Sequence, residues 1–160
     1  MKRNIITLLI TVFAMLQATA QTYDNLWKQA DIIAQKDQPK SEIGVMKKII
    51  SKATAAKDYG QLLAAEMRQM ILWKEISADS LTPNVERMEA EVLKVKDPAL
   101  KAVRYAVLGK VYSDMDEKKS EEFFKKALQQ PELLAKHTST EYIPLTLKGV
   151  DGSSFNNDLL

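Results

Sequence analysis

The side chains that could carry chemistry in this chain are few. A hydrolytic or transfer site needs a nucleophile with a base, a carboxylate pair or a metal. The chain has one His and no Cys. His137 falls at the end of a helical stretch, where a cation interacts favourably with the negative pole of the helix dipole, so a structural role outweighs proton transfer. With no Cys and a single His, a zinc site would have to be built almost wholly of carboxylates, against the usual ligand chemistry. Asp114, Asp116 and Glu117 cluster in one turn, but the central Gly and closing Glu of a calcium loop are not at the required spacing, so they read as turn and helix-cap residues. There is no Gly-rich phosphate loop and no Ser in a nucleophile-elbow setting. The expectation is a non-catalytic protein with no metal and no cofactor.

Residues suited to binding are more numerous. Trp27, Trp73, Tyr59 and Tyr105 could line a concave surface, although aromatics at helical spacing more often belong to a core. The pairs Lys47-Lys48, Lys118-Lys119 and Lys125-Lys126 read as solvated helix faces. Met46, Met67, Met70, Met88 and Met115 read as adaptable core filler.

These residues would be positioned by helices. Residues 23 to 137 are rich in Ala, Leu, Lys, Glu, Gln and Met, with little strict alternation. Turn signals divide the stretch into six helices. The first is capped by Asp24 and stops near Asp37-Gln38-Pro39. Ser41 opens the second, with Ile43, Met46, Ile49, Ile50 and Ala53 at helical spacing. Asp58-Tyr59-Gly60 breaks the chain before a third helix holding Leu62, Leu63, Met67, Met70, Ile71 and Trp73. Thr82-Pro83 starts a fourth, with Leu81, Val85, Met88, Val92 and Val95 as one apolar stripe. Asp97-Pro98 starts a fifth, apolar around most of its circumference, which predicts packing on most sides. Asp114-Met115-Asp116 leads into a sixth, ending near Pro131 or Lys136. The predicted fold is all-α: antiparallel hairpins over 24–57, 59–96 and 98–130, followed by a short extended tail.

A period of about 35 residues is the mark of a helical repeat. In the third hairpin, Tyr105, Leu108, Gly109 and Tyr112 have the tetratricopeptide spacing of aromatic, Leu, Gly and Tyr. Ser120, Phe124 and Ala127 fall on its small, aromatic and Ala positions once the turn is shortened by one residue. Gly109 is expected to let the paired helix approach closely and Phe124 to wedge between the two helices. The other hairpins fit the pattern less well, so the array is tetratricopeptide-like.

The N-terminus predicts export. Lys2 and Arg3 precede an apolar run over residues 5–16, and Ala18-Thr19-Ala20 supplies the small residues before a signal-peptidase cut at Gln21. The run is shorter than the ~20 residues a membrane-spanning helix needs. Without Cys there is no lipid attachment and no disulfide, so packing alone must hold the roughly 140 remaining residues, one domain's worth. Taking Lys2 and Arg3 from the 23 basic side chains leaves 21 against 21 acidic ones, because residues 1–20 contain no acid. The mature chain is neutral, with no field to steer nucleic acid or anionic lipid. The expected domains are a signal peptide over 1–20, a helical repeat domain over 21–137 and an extended tail over 138–160. The tail holds Tyr142-Ile143-Pro144-Leu145-Thr146-Leu147, the turn Gly149-Val150-Asp151-Gly152, and at Asn157 or Asp158 what reads as the cap of a further helix. Apolar Leu159 and Leu160 at the very end favour the start of a further region cut short, with a frayed terminus as the alternative.

Tyr23-Asp24-Asn25-Leu26-Trp27-Lys28, Leu62-Leu63, Asp79-Ser80-Leu81 and Phe155-Asn156-Asn157-Asp158-Leu159-Leu160, in that order behind a signal peptide, carry a resemblance. The chain resembles the N-terminal helical region of the large exported alpha-2-macroglobulin-like proteins of Bacteroidetes. The resemblance implies a periplasmic or cell-envelope location in a Gram-negative bacterium. It also implies a role as the leading, non-catalytic segment before a string of macroglobulin β-sandwich domains, its partner being those domains or another protein. The family's protease trapping does not carry over to these residues, which include no sandwich, bait segment or thioester Cys. A free-standing tetratricopeptide-like adaptor that binds a peptide is the alternative.

Overall fold

The computed structural model describes residues 22–145. The expected signal peptide, its cleavage residues Ala18, Ala20 and Gln21, and the tail beyond Leu145 lie outside the described residues. Within them the chain is all-helical: α1 (Tyr23–Ala34), α2 (Pro39–Ala56), α3 (Tyr59–Ile76), α4 (Ala78–Val92), α5 (Pro98–Tyr112), α6 (Glu117–Ala127) and the one-turn α7 (Pro131–Leu134), then a 3-10 turn over Ser139–Tyr142. Each helix from α1 to α5 packs on the next, and α3 also packs on α5 and on the 3-10 turn. Connections this short between successive helices make antiparallel neighbours.

The helix starts follow from side-chain oxygens that take up otherwise unpaired backbone N–H groups. Thr22, Asp58, Asp97 and Asp116 accept from the amides of Asn25, Gln61, Leu100 and Lys119, at 3.3, 3.2, 2.8 and 3.1 Å. Two starts come earlier than the sequence suggests. Helix α2 begins at Pro39 rather than behind Ser41, because Pro at the first helical position has no N–H to lose. Helix α4 begins behind Ser77 rather than at Thr82-Pro83, so Pro83 lies inside it. There the Asn84 amide Nδ2 donates to the Ser80 carbonyl at 2.8 Å, tying down the turn that the proline ring interrupts. Asp24 is a first-turn residue, Thr22 being the cap.

Three apolar clusters meet along α3. Leu26, Ala30, Ile43, Met46 and Ile49 of α1 and α2 close on Ala65 and Leu72. Leu81, Val85, Met88 and Val92 of α4, Val107, Leu108 and Tyr112 of α5 and Phe123 of α6 close on Met70. Leu63, Leu100 and Tyr142 form the third. Met46, Met70 and Met88 are buried as core filler, whereas Met115 is exposed.

The C-terminal stretch departs from a simple extended tail. Ser139–Tyr142 makes a 3-10 turn closed by a capping box, in which Glu141 Oε1 accepts from the Thr138 amide at 2.9 Å. The turn puts Tyr142 into the core, and Leu145 packs nearby, so the packed body continues past His137. Gly60 is the seat of this turn. A Cβ built there would run into the Ile143 carbonyl oxygen and lie 2.6 Å from the Tyr142 carbonyl carbon, so the approach is open only to glycine.

Candidate functional site

In the tetratricopeptide-like hairpin, Leu108 is fully buried and Tyr112 and Ala127 are buried, while Tyr105 is half-buried against the same cluster. The Ser120 hydroxyl donates to the Gly109 carbonyl at 2.8 Å, joining α6 to α5. Phe124 lies over Gly109, within 3.0 Å of where a Cβ would stand, but the ring is 39% exposed. The inserted aromatic is Phe123, stacked between Tyr105 and Tyr112 at centroid distances of 6.0 and 5.5 Å. Phe124 thus faces Gly109 across the two helices, while its neighbour Phe123 fills the cluster. These positions hold the hairpin together.

The candidate binding aromatics divide in the same way. Trp27 is half-buried and its Nε1 donates to Gln61 Oε1 at 2.7 Å. Trp73 packs on the first cluster and Tyr59 on the third. The acidic turn is dispersed in structural roles: Asp114 pairs with Lys74 at 3.0 Å and Asp116 caps α6. The same ion pair holds the Asp114 carboxyl below its ordinary range. His137 Nδ1 lies 2.9 Å from Glu141 Oε2, bracing the 3-10 turn. Lys119 joins Glu89 at 3.1 Å and the Tyr112 hydroxyl at 3.1 Å, and that hydroxyl donates to Glu89. Lys125 and Lys126 pair with Glu121 and Glu122 one turn earlier on α6. Among the described residues, no three His, Cys, Asp or Glu side chains stand where they could hold a metal ion.

A cleft between α2, α3, α4 and α5 presents a different chemistry. Its volume is about 370 Å³, with Ile50, Thr54, Leu62, Val95, Arg87, Glu91 and Lys94 around Glu66 and Arg104. Glu66 and Arg104 are 5% and 7% exposed. They face each other across α3 and α5, with Arg104 Nη2 donating to Glu66 Oε1 at 3.5 Å and Nη1 lying 3.3 Å from Oε2. The second approach is an ion pair without hydrogen-bond alignment, so Glu66 Oε2 and the Nε and Nη1 of Arg104, all three shut off from solvent, have no hydrogen-bond partner. Burial pushes the Glu66 carboxyl above its ordinary range; Arg104 pulls it down by less, and Glu91 adds to the rise. At the rim Arg87 pairs with Glu91 at 2.8 Å one helical turn away, and Lys94 stands exposed beside them.

A second buried carboxylate gives the contrast. Glu42, 2% exposed, accepts from Arg68 Nε at 2.7 Å, a short and well-aligned bridge from α2 to α3. The two bridges differ in setting: the Arg68 side chain is 40% exposed, whereas both members of the Glu66–Arg104 pair are buried.

Sequence reasoning passed over both residues, although the spacing carried a signal. Glu66 falls one turn after Leu62 and one before Met70, and Arg104 stands midway between Leu100 and Leu108. A charge set in an apolar stripe must find a partner or a ligand. Compared with protein-family models, with curated proteins and with solved structures, the chain matches none. The meaning of the cleft therefore rests on its chemistry.

Proposed function

We propose that this chain is a non-catalytic docking module whose cleft over Glu66 and Arg104 receives a polypeptide partner. The observation that carries this reading is the incompletely satisfied charged pair on the floor of an open cleft. The buried carboxylate Glu42 is met by a short bond from Arg68, an arginine that still reaches solvent, whereas neither member of the Glu66–Arg104 pair does. The cleft brings together no nucleophile with a base, and its carboxylates are engaged by arginines, so binding rather than bond-making suits it.

The setting we propose is an exported protein of the alpha-2-macroglobulin-like kind, on the strength of the N-terminal export signal and the ordered short motifs. The partner is then either the downstream domains of the same polypeptide or a separate envelope protein. Sequencing the gene beyond Leu160 tests the setting: a reading frame running on into β-sandwich repeats is expected, and a stop codon with no related frame beyond contradicts it.

Docking itself is tested by site-specific photocrosslinking in envelope extract. A photoreactive residue at Thr54, on the lip of the cleft, is compared with one at Lys28 on the exposed face of α1. One defined polypeptide, identified by mass spectrometry, is expected from position 54 and not from 28. Equal yields from both positions, or none from 54, would refute the reading.

A further inference from the structure

Charge is unevenly spread along this chain. Residues 22–57 hold seven Lys against four acidic side chains, and residues 58–97 hold five basic side chains against eight acidic ones. Helix α2 carries much of the first excess on its outer surface. Its one carboxylate, Glu42, is buried and taken up by Arg68. On α6, Lys125 and Lys126 meet Glu121 and Glu122 four residues earlier, whereas no acid stands four residues from exposed Lys40 or Lys47 in either direction.

The register of α2 leads these cations to the cleft. Lys40, Lys47 and Thr54 recur at seven-residue intervals, so they share one flank of the helix and stand about 10 Å apart along it. Thr54 and Ile50 line the cleft at the end of that flank, and exposed Lys94, just past α4, lines it too. Among the described residues none of Lys40, Lys47 and Lys94 has an ion-pair partner. The cleft's two carboxylates are engaged, Glu91 by Arg87 at the rim and Glu66 by Arg104 on the floor. A ligand entering therefore meets unpaired cations around the apolar wall of Ile50, Leu62 and Val95.

We propose that the docked polypeptide is acidic: an extended segment that seats an apolar side chain against Ile50, Leu62 and Val95 and lays carboxylates along α2 against Lys47 and Lys40. The proposal rests on the docking reading above and names the chemistry of the partner. An extended chain advances about 3.3 Å per residue, so the 10 Å step along α2 is matched by acids three and six residues from the apolar anchor. At about 0.1 M salt a charge is screened beyond roughly 10 Å, so these lysines act by contact. A single line of them beside an apolar cleft suits one strand of polypeptide, whereas a bilayer is held by a broad cluster of cations.

The test is a nuclear magnetic resonance titration of the ¹⁵N-labelled chain with blocked peptides. One carries leucine with glutamates three and six residues on, spaced by glycine and serine, and a second has the reverse order. Two further pairs carry glutamine or lysine in place of glutamate. One glutamate peptide is expected to shift the backbone amides of Lys40, Lys47, Thr54 and Val95. Its glutamine counterpart is expected to bind roughly fivefold more weakly, the effect of two exposed ion pairs. Lys40→Glu/Lys47→Glu, at exposed positions away from the core, is expected to turn the preference toward the lysine peptide. Glutamine or lysine peptides that bind the parent as tightly as the glutamate ones, or an unchanged preference in the variant, would overturn the proposal while leaving the docking reading standing. Phosphatidylglycerol vesicles that shift these amides where no peptide does would overturn it too. Absence of any shift also overturns it, and the crosslink from position 54 then judges docking separately.

Discussion

Arg104 and Glu66 show how little separates a stabilising pair from a costly one. Taking a charge out of water is repaid only when geometry is good and the remaining donors and acceptors are filled. This pair has one hydrogen bond of 3.5 Å, and three of its buried atoms have no hydrogen-bond partner. Removing only the cation, as in Arg104→Met, leaves Glu66 buried and alone, and is expected to cost about 3–5 kcal/mol in urea unfolding. Replacing both residues, as in Glu66→Leu/Arg104→Met, is expected to match or exceed the parent. A double variant as unstable as the single one would mean that the pair is a structural bridge like Glu42–Arg68.

The pH dependence follows from the same carboxyl. Its folded-state value is raised, so between the ordinary carboxylate value of 4.5 and that raised value the folded chain holds a proton that the unfolded chain releases. Stability therefore falls as pH rises through this window. Glu141, lowered by His137 and the Thr138 amide, acts in the opposite sense at lower pH: its contribution is present above 4.5 and is lost as pH falls through its depressed value. Urea midpoints measured across the window above pH 4.5 are expected to decline for the parent and to flatten in Glu66→Gln. Parallel slopes for the two proteins would show that Glu66 is not the titrating group.

At the scale of elements, the caps were legible only in part. Asp97 followed by Pro98 states a helix start in two residues, and α5 begins there. Thr82-Pro83 states one as clearly, yet α4 runs through it, because Ser77 ends α3 and starts α4 and Asn84 anchors the interrupted turn. Local chemistry proposes a boundary; packing of Leu81, Val85, Met88 and Val92 decides it. Glycines divide similarly. Gly60 reads as a breaker, but its role is set by a turn some eighty residues later in the chain, which no local pattern reveals.

The same substitution should therefore have different consequences at two glycines. Gly60→Ala pushes a Cβ into the backbone of Tyr142 and Ile143, which cannot yield without releasing the turn. Destabilisation by about 1–3 kcal/mol is expected, with faster amide hydrogen exchange in 139–143. Gly109→Ala meets the half-exposed Phe124 ring, which can swing aside, and alanine's helix propensity returns up to about 1 kcal/mol. Near-neutral stability is expected there. Reversed magnitudes would contradict the close approach at Gly60.

For the whole molecule, α3 is the element through which the clusters communicate, since it contributes to each of them. The all-helical class and the sequence of hairpins were legible from periodicity and turns, because both are local. The cleft was not legible: Glu66 and Arg104 are 38 residues apart, and only the packing of α3 on α5 brings them together. Both Trp residues pack on the first cluster, while Leu108 is fully buried in the second. If α3 couples them, Leu108→Asp lowers the tryptophan-detected unfolding midpoint together with the helix-detected one, with a loss of more than about 4 kcal/mol from the unpaired buried charge. A tryptophan transition that stays in place would show that the two ends unfold separately.

The central claim is that the Glu66–Arg104 pair is kept for docking and not for stability. It is tested most directly by photocrosslinking from position 54 in the parent and in Glu66→Leu/Arg104→Met, each first shown by circular dichroism to be folded. The account predicts equal helical content, an unfolding midpoint at least as high in the double variant, and loss of the crosslinked polypeptide. A folded double variant that still captures the same polypeptide at parental yield would contradict it.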